Sequence, residues 1–324
     1  MHRPLSAASI LRLLPGLAFA FAGAAQAWPD RPIRIIAVSP PGGSTDQLAR
    51  LHAAHLTLQL GQPILVDNRA GGGGMIASEL VARSVADGHT LLFTHTGHSV
   101  LPGLSNRLPY DPIEDFSPIG LVALTPSVLL VAPALPAKSV QDLIDLARAR
   151  PGELGFSAAS TGGHAHLAGE LFKLMAKIDI VHLPFRGSGA HLSALIGNEA
   201  QMGFATLRAA LPHVRAARLR ALGIGSRART TALPEVPTVS ETTLPGFDAG
   251  TWNGVLAPAR TPPPVVHRLN RELGEIARHP EARELAAAHG TELVSGTPQE
   301  FALYIRSQVA QWSMVLKAAG LQAD

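Results

Sequence analysis

The chain has 324 residues, of which 46% are hydrophobic, 5% aromatic and 16% charged, with 27 basic residues against 24 acidic ones and no cysteine. Without cysteine there is no disulfide framework and no lipid-modified N-terminal cysteine, so the fold must rest on its apolar core. The pI near 9.7 owes much to Arg3 and Arg12; setting these aside takes 27 basic residues to 25 against 24 acidic, and with so few aromatics and no dense basic run a nucleic-acid-binding surface is excluded.

Residues 1–27 read as a secretory signal. Arg3 and Arg12 precede an apolar stretch from Leu13 to Phe21 that is too short to span a bilayer, and Ala25-Gln26-Ala27 supplies the small side chains of a cleavage site. Cleavage after Ala27 leaves 297 of the 324 residues, a length that suggests two lobes rather than one growing core. The mature chain is expected to diffuse freely in the periplasm as a monomer.

Ile33 to Val38 form a short β-branched apolar run, stopped by Pro40-Pro41-Gly42-Gly43. Leu48, Leu51 and Leu58 then share a helical stripe, so the N–H groups of Gly43, Ser44 and Thr45 cluster at a helix start, where they and the helix dipole stabilise an anion. A second strand is expected over 62–69, followed by Gly71 to Gly74 and a helix over 75–82. The glycines fail the dinucleotide pattern, because Ile76 and Ala77 stand where the third glycine belongs. Leu91 to Phe93 form a third strand that ends in the polar cluster Thr94 to Ser99, at the strand end where open α/β sheets bind ligands. Gly97-His98-Ser99-Val100-Leu101 lacks the final glycine of a hydrolase elbow, which discounts a serine nucleophile.

Thr125-Pro126, between two apolar runs, marks a crossing to the second lobe. Ser139 is placed to cap a helix. Phe156 to Leu167 repeats the opening unit of strand, small polar turn and helix, so two anion-binding helix starts are expected to face each other across a cleft. His164, His166 and Glu170 invite a metal, yet no remote ligand is tied to them by spacing, and capping or ligand hydrogen bonding is the preferred role. Arg186 reads as a structural anchor, Leu219 to Ile224 as the return crossing, and Leu233 to Thr238 as a stiff connector. Thr297-Pro298-Gln299-Glu300 is a capping box that opens a last helix, whose stripe Phe301, Ile305, Val309, Trp312 and Val315 belongs to the core.

From Trp28 to about Leu321 the chain resembles the Bug family, the periplasmic binding proteins of tripartite tricarboxylate transporters. The stretches that carry the likeness include Trp28-Pro29-Asp30-Arg31-Pro32, Pro41-Gly42-Gly43-Ser44-Thr45-Asp46, Val66-Asp67-Asn68-Arg69-Ala70-Gly71, Leu108-Pro109-Tyr110-Asp111-Pro112, His166-Leu167-Ala168-Gly169-Glu170 and Pro184-Phe185-Arg186-Gly187, in that order. The resemblance implies an α/β, two-lobed venus-flytrap fold with two crossover strands, divided as 28–124, 125–221 and 222–324. It further implies a small carboxylate held between the lobes, no cofactor, no metal and no catalysis, with the membrane subunits of a transporter as partner. Carried over, the first pincer is Pro41, Gly42, Gly43, Ser44 and Asp46, with Thr96 nearby; the second is Thr161, Gly162, Gly163 and His166. Gly162-Gly163 replaces a usual Gly-Ser, Leu101 a usual asparagine, and Ala205 a frequent aspartate, which points to an acid less polar than citrate. A sensor that docks on a receptor kinase is the alternative from another class, with a hydrolase or metalloenzyme behind it.

Overall fold

The computed structural model describes residues 28–105, 107–158, 162–288 and 290–321. The expected signal sequence and Thr161 lie outside the described residues. In chain order, β1 (Ile33–Ala37), α1 (Ser44–Leu60), β2 (Ile64–Asn68), a single 3-10 turn (Gly72–Gly74), α2 (Met75–Ala82), β3 (Thr90–His95), α3 (Gly97–Leu104) and β4 (Phe116–Thr125) open the chain. Next come β5 (Ser127–Val131), α4 (Val140–Ala149), β6 (Gly155–Ala158), α5 (His164–Ala176), β7 (Val181–Pro184), α6 (Ser188–Ile196), β8 (Met202–Thr206), α7 (Leu207–Arg215) and β9 (Arg220–Ile224). The chain closes with α8 (Val239–Thr242), β10 (Thr251–Pro258), α9 (Pro263–Arg278), α10 (Pro280–Ala288), β11 (Glu292–Leu293) and α11 (Pro298–Ala318).

Two mixed sheets result, ordered β11-β4-β10-β3-β1-β2 and β7-β6-β8-β5-β9. They are built alike. In the first, β1 pairs in parallel with β2 and β3 while β10 runs antiparallel beside β3. In the second, β6 pairs in parallel with β7 and β8 while β5 runs antiparallel beside β8. The repeated strand-turn-helix unit of the sequence is thus β1-α1 in one lobe and β6-α5 in the other. Ile33, Ile35 and Ile36 are wholly buried, as a strand covered by helices on both faces requires.

The first crossing lies at Pro126, between β4 of one sheet and β5 of the other. The return was expected near Leu222, but that residue sits inside β9, which pairs with β5 in the second sheet. The chain leaves that sheet after Ile224 and rejoins the first at Thr251. The two passages run side by side: the Gly225 amide donates to the Ser127 carbonyl at 2.7 Å, and the Ala249 amide donates to the Gly225 carbonyl at 2.7 Å.

Local chemistry accounts for the helix ends. Ser139 accepts from the Asp142 amide while Asp142 accepts from the Ser139 amide, and Thr297 and Glu300 exchange the same pair at the head of α11. Gly254 in β10 admits the Phe301 ring of α11, which a Cβ there would overlap. Several elements were not anticipated, among them β8, α7, β10 and α3. Gly97–Leu104 is helical with Pro102 inside it, because Pro102 removes only one amide donor from a turn held by tertiary packing. The apolar side chains of α11 divide between the lobes: Phe301 and Ile305 join the core around Trp252, whereas Trp312, Val315 and Leu316 join the core around Phe156 and Phe172. Among the described residues no helix is long and apolar enough to cross a membrane.

Candidate functional site

The ends of β1, β3, β6 and β8 each hand the chain to a helix, and the starts of those four helices border one cavity between the sheets, of about 420 Å³. Ser44, Thr45 and Leu48 of α1 form part of its wall, with His95, Thr96, Gly97 and Val100 from the β3–α3 junction. Gly162, Gly163, His164 and Leu167 face them from α5, and Thr206 and Arg208 from the start of α7. Between the lobes lie Thr125, Thr251, Trp252, Asn253, Thr291 and Trp312.

The wall is fixed by hydrogen bonds that tie its elements together. The Trp252 amide donates to Thr96 Oγ1 at 2.9 Å, and Asn253 Nδ2 donates to Thr45 Oγ1 at 3.2 Å and to the Thr94 carbonyl at 3.2 Å. Thr125 Oγ1 and Thr291 Oγ1 lie 2.9 Å apart. His164 Nε2 donates to the Ala249 carbonyl at 2.7 Å, which ties the second-lobe helix start to the return passage. His95 Nδ1 accepts from the Gly97 amide at 2.8 Å. Burial holds the imidazoles of both His95 and His164 below their usual proton affinity, so both are neutral at neutral pH. Among the described wall residues there is no carboxylate. The four helix starts bring amide donors and the positive ends of helix dipoles to the wall, with Arg208 at its edge, and the cavity is chemically suited to an anion.

Of the residues singled out from the sequence, Ser44, Thr96, Gly162 and Gly163 stand in this wall. Pro41 and Gly42 are exposed in the turn before α1, and Gly43 caps that helix. Asp46 and His166 lie beneath the two loops rather than in the wall, only 2% and 3% exposed. Asp46 Oδ2 accepts from the Gly42 amide at 2.8 Å and from Arg50 Nε at 3.0 Å, while Oδ1 accepts from Asn68 Nδ2 at 2.8 Å. Burial alone would raise this carboxyl, but the bonds from Arg50, Asn68 and Gly42 outweigh it and hold it below the usual carboxylate range. His166 Nδ1 accepts from the Gly162 amide at 2.8 Å. Arg186 is exposed. Among the described residues no cluster of histidine and acidic side chains has the geometry of a metal site.

Asp46→Ala leaves three donors without their acceptor. It is expected to cost about 2–3 kcal/mol in urea unfolding, with Asp46→Asn retaining part of that loss. A change below about 0.5 kcal/mol would mean that the loop does not depend on this brace.

Sequence reasoning missed Thr206, Arg208, Asn253 and Thr291, and took in His95 only as part of the polar cluster that ends β3. Thr206 and Arg208 follow the Gly203-Phe204 strand end and could have been found there, since it too feeds a helix. Asn253 and Thr291 carry no local signal. Trp312, read as core, is 1% exposed and donates to Gln308 Oε1 at 3.0 Å; one side of it also reaches the cavity.

Two sheets joined by paired crossing segments, with a cleft between them, are the fold of two-lobed periplasmic solute-binding proteins. The chain belongs to the TctC family, described as "Tripartite tricarboxylate transporter family receptor", whose profile matches residues 48–321. It is 39% identical over 298 residues to protein BugT of Bordetella pertussis, covering 91% of each chain. Among solved structures it is similar to R. palustris Rpa4515 with adipate, at 34% identity and TM-score 0.70 over 90% of this chain and 98% of that one. It is also similar to MatC of Rhodopseudomonas palustris with bound malate, at 30% identity and TM-score 0.67 over 89% of this chain and all of the other.

Proposed function

We propose that this protein is exported to the periplasm, captures a small organic carboxylate between its lobes and delivers it to the membrane subunits of a tripartite tricarboxylate transporter, without catalysis. The observation that carries this reading is the convergence of four helix N-termini and Arg208 on one cavity with no described carboxylate in its wall. The adipate and malate in the names of similar structures support the same ligand class. Ser44, Thr96, Gly162 and Gly163, with Thr161 as the residue that precedes Gly162 in sequence, are the contact positions in this reading. Pro41, Gly42, Gly43, Asp46 and His166 shape the loops that present them. The lobes divide at Pro126 and within 225–250, so closure is a hinge about these two passages that the ligand favours by touching both sides. Leu48, Val100 and Leu167 in the wall favour an acid less polar than citrate.

The test is a thermal-shift screen of residues 28–324 against aliphatic and aromatic carboxylates, amino acids, sugars and metal salts. An acid at a hundred times its dissociation constant stabilises the fold by roughly 2.7 kcal/mol. Gly162 has φ +74°, a conformation that strains any side chain, and among the described residues nothing lies within 4 Å of where its Cβ would stand. Gly162→Leu therefore places a side chain in open cleft space and is expected to abolish the shift. A shift from a sugar or a metal, with none from any acid, would overturn the ligand class.

A further inference from the structure

His166 is nearly inaccessible, yet it reaches the cleft through one atom. Its Nδ1 accepts the amide proton of Gly162, which stands in the cavity wall. An imidazole that accepts at Nδ1 is neutral and carries its proton on Nε2, and here Nε2 lies 3.6 Å from Glu170 Oε1 on the next turn of α5. The ring is stacked at 3.7 Å on His182 from β7, and Phe156 from β6 lies on the same stack with centroids 6.1 Å away. The titratable groups against His166 are thus Glu170 on its own helix and His182 on β7, while β6 contributes an uncharged ring. The Glu170 carboxylate is placed to balance an imidazolium.

We propose that His166 is a positioning residue whose Nδ1 lone pair sets the second-lobe loop for ligand capture, so that protonating it releases the Gly162 amide and weakens binding. The inference rests on the carboxylate-capture reading and adds proton control to that site. When Nδ1 takes up a proton it becomes a donor, and two N–H groups then face each other at 2.8 Å. The Gly162 amide must turn away, while the imidazolium is held by Glu170. Burial keeps His182 uncharged, with its proton affinity lowered to about 4, so it does not compete for the proton as the pH falls.

The measurement is calorimetric affinity for an acid found in the screen, from about pH 8 to about pH 5, the span over which histidines change charge. The unmodified protein is expected to lose about five- to tenfold in affinity on acidification, the equivalent of one hydrogen bond. His166→Asn offers a carbonyl acceptor to the Gly162 amide and cannot titrate, so its affinity is expected to stay flat with pH. His166→Phe keeps the stack, loses the acceptor and is expected to bind weakly across the whole range. For the unmodified protein, ring 15N shifts should place the proton on Nε2 at neutral pH. An Nδ1 proton, or a pH profile shared by the parent and His166→Asn, would overturn the inference while leaving capture intact. Absence of binding to any acid at any pH would overturn the capture reading and this one with it.

Discussion

Acidification from pH 6.5 to 4.5 is expected to destabilise the protein by several kcal/mol. His52 and His98 are each 1% exposed, and burial lowers both to about 4 from an ordinary value of 6.5. Each makes one bond from its neutral form: His52 Nδ1 donates to the Leu48 carbonyl at 2.8 Å, and His98 Nε2 donates to the Pro112 carbonyl at 2.8 Å. The unfolded chain binds both protons below pH 6.5 and the native chain does not. Stability is therefore full above that value and is lost as pH falls toward 4. Between those limits each histidine contributes a slope of about 1.4 kcal/mol per pH unit, and the pair about 3. That is a large share of the 5–15 kcal/mol typical of a folded protein. Urea midpoints at half-unit pH intervals would read the slope. His52→Asn and His98→Gln each keep a donor at the bonding position and remove the titration, so together they should lower the slope by about half, the remainder coming from His182 and His191, which are likewise lowered to about 4. An unchanged slope in the double variant would sink the assignment.

The second large effect is on affinity. Arg208→Ala is expected to weaken binding of the captured acid by about tenfold, the lower end for a charge-assisted hydrogen bond, because Arg208 is exposed at the cavity edge. Arg208→Lys keeps the charge without the planar fork and should recover part of the loss. The change belongs in the dissociation rate rather than the association rate, because the helix N-termini continue to attract the anion. Equal affinity of the alanine variant and the parent would remove Arg208 from the site and leave the ligand to backbone amides alone.

The elements that sequence reading recovered are those whose signals are local. β1 and α1 are written in a β-branched run, a proline-glycine break and a leucine stripe, and β6-α5 repeats the grammar. α11 is announced by its capping box. What was lost depends on partners far along the chain. Leu219 to Ile224 reads as an apolar run, but only its pairing with β5 decides that it stays in the second sheet and defers the return passage beyond it. Pro102 and Gly103 look like helix breakers, and tertiary packing overrides them. The site shows the same division. The glycine and serine positions at helix starts could be named in advance, whereas Asn253, Arg208 and Thr291 meet in the cavity wall only because strands from different lobes bring them there. Asp46 and His166 were legible as loop residues. That they support the loops from below follows from burial, which no spacing reveals.

The division of α11 between two cores bears on the order in which the chain can fold. Phe301 and Ile305 complete one core of the first lobe, and Trp312, Val315 and Leu316 complete one core of the second, so these two cores close only when the last helix is in place. A chain cut short before α11 loses part of both lobes at a stroke, while the core around β1 and the core around β5 and α6 keep all their residues.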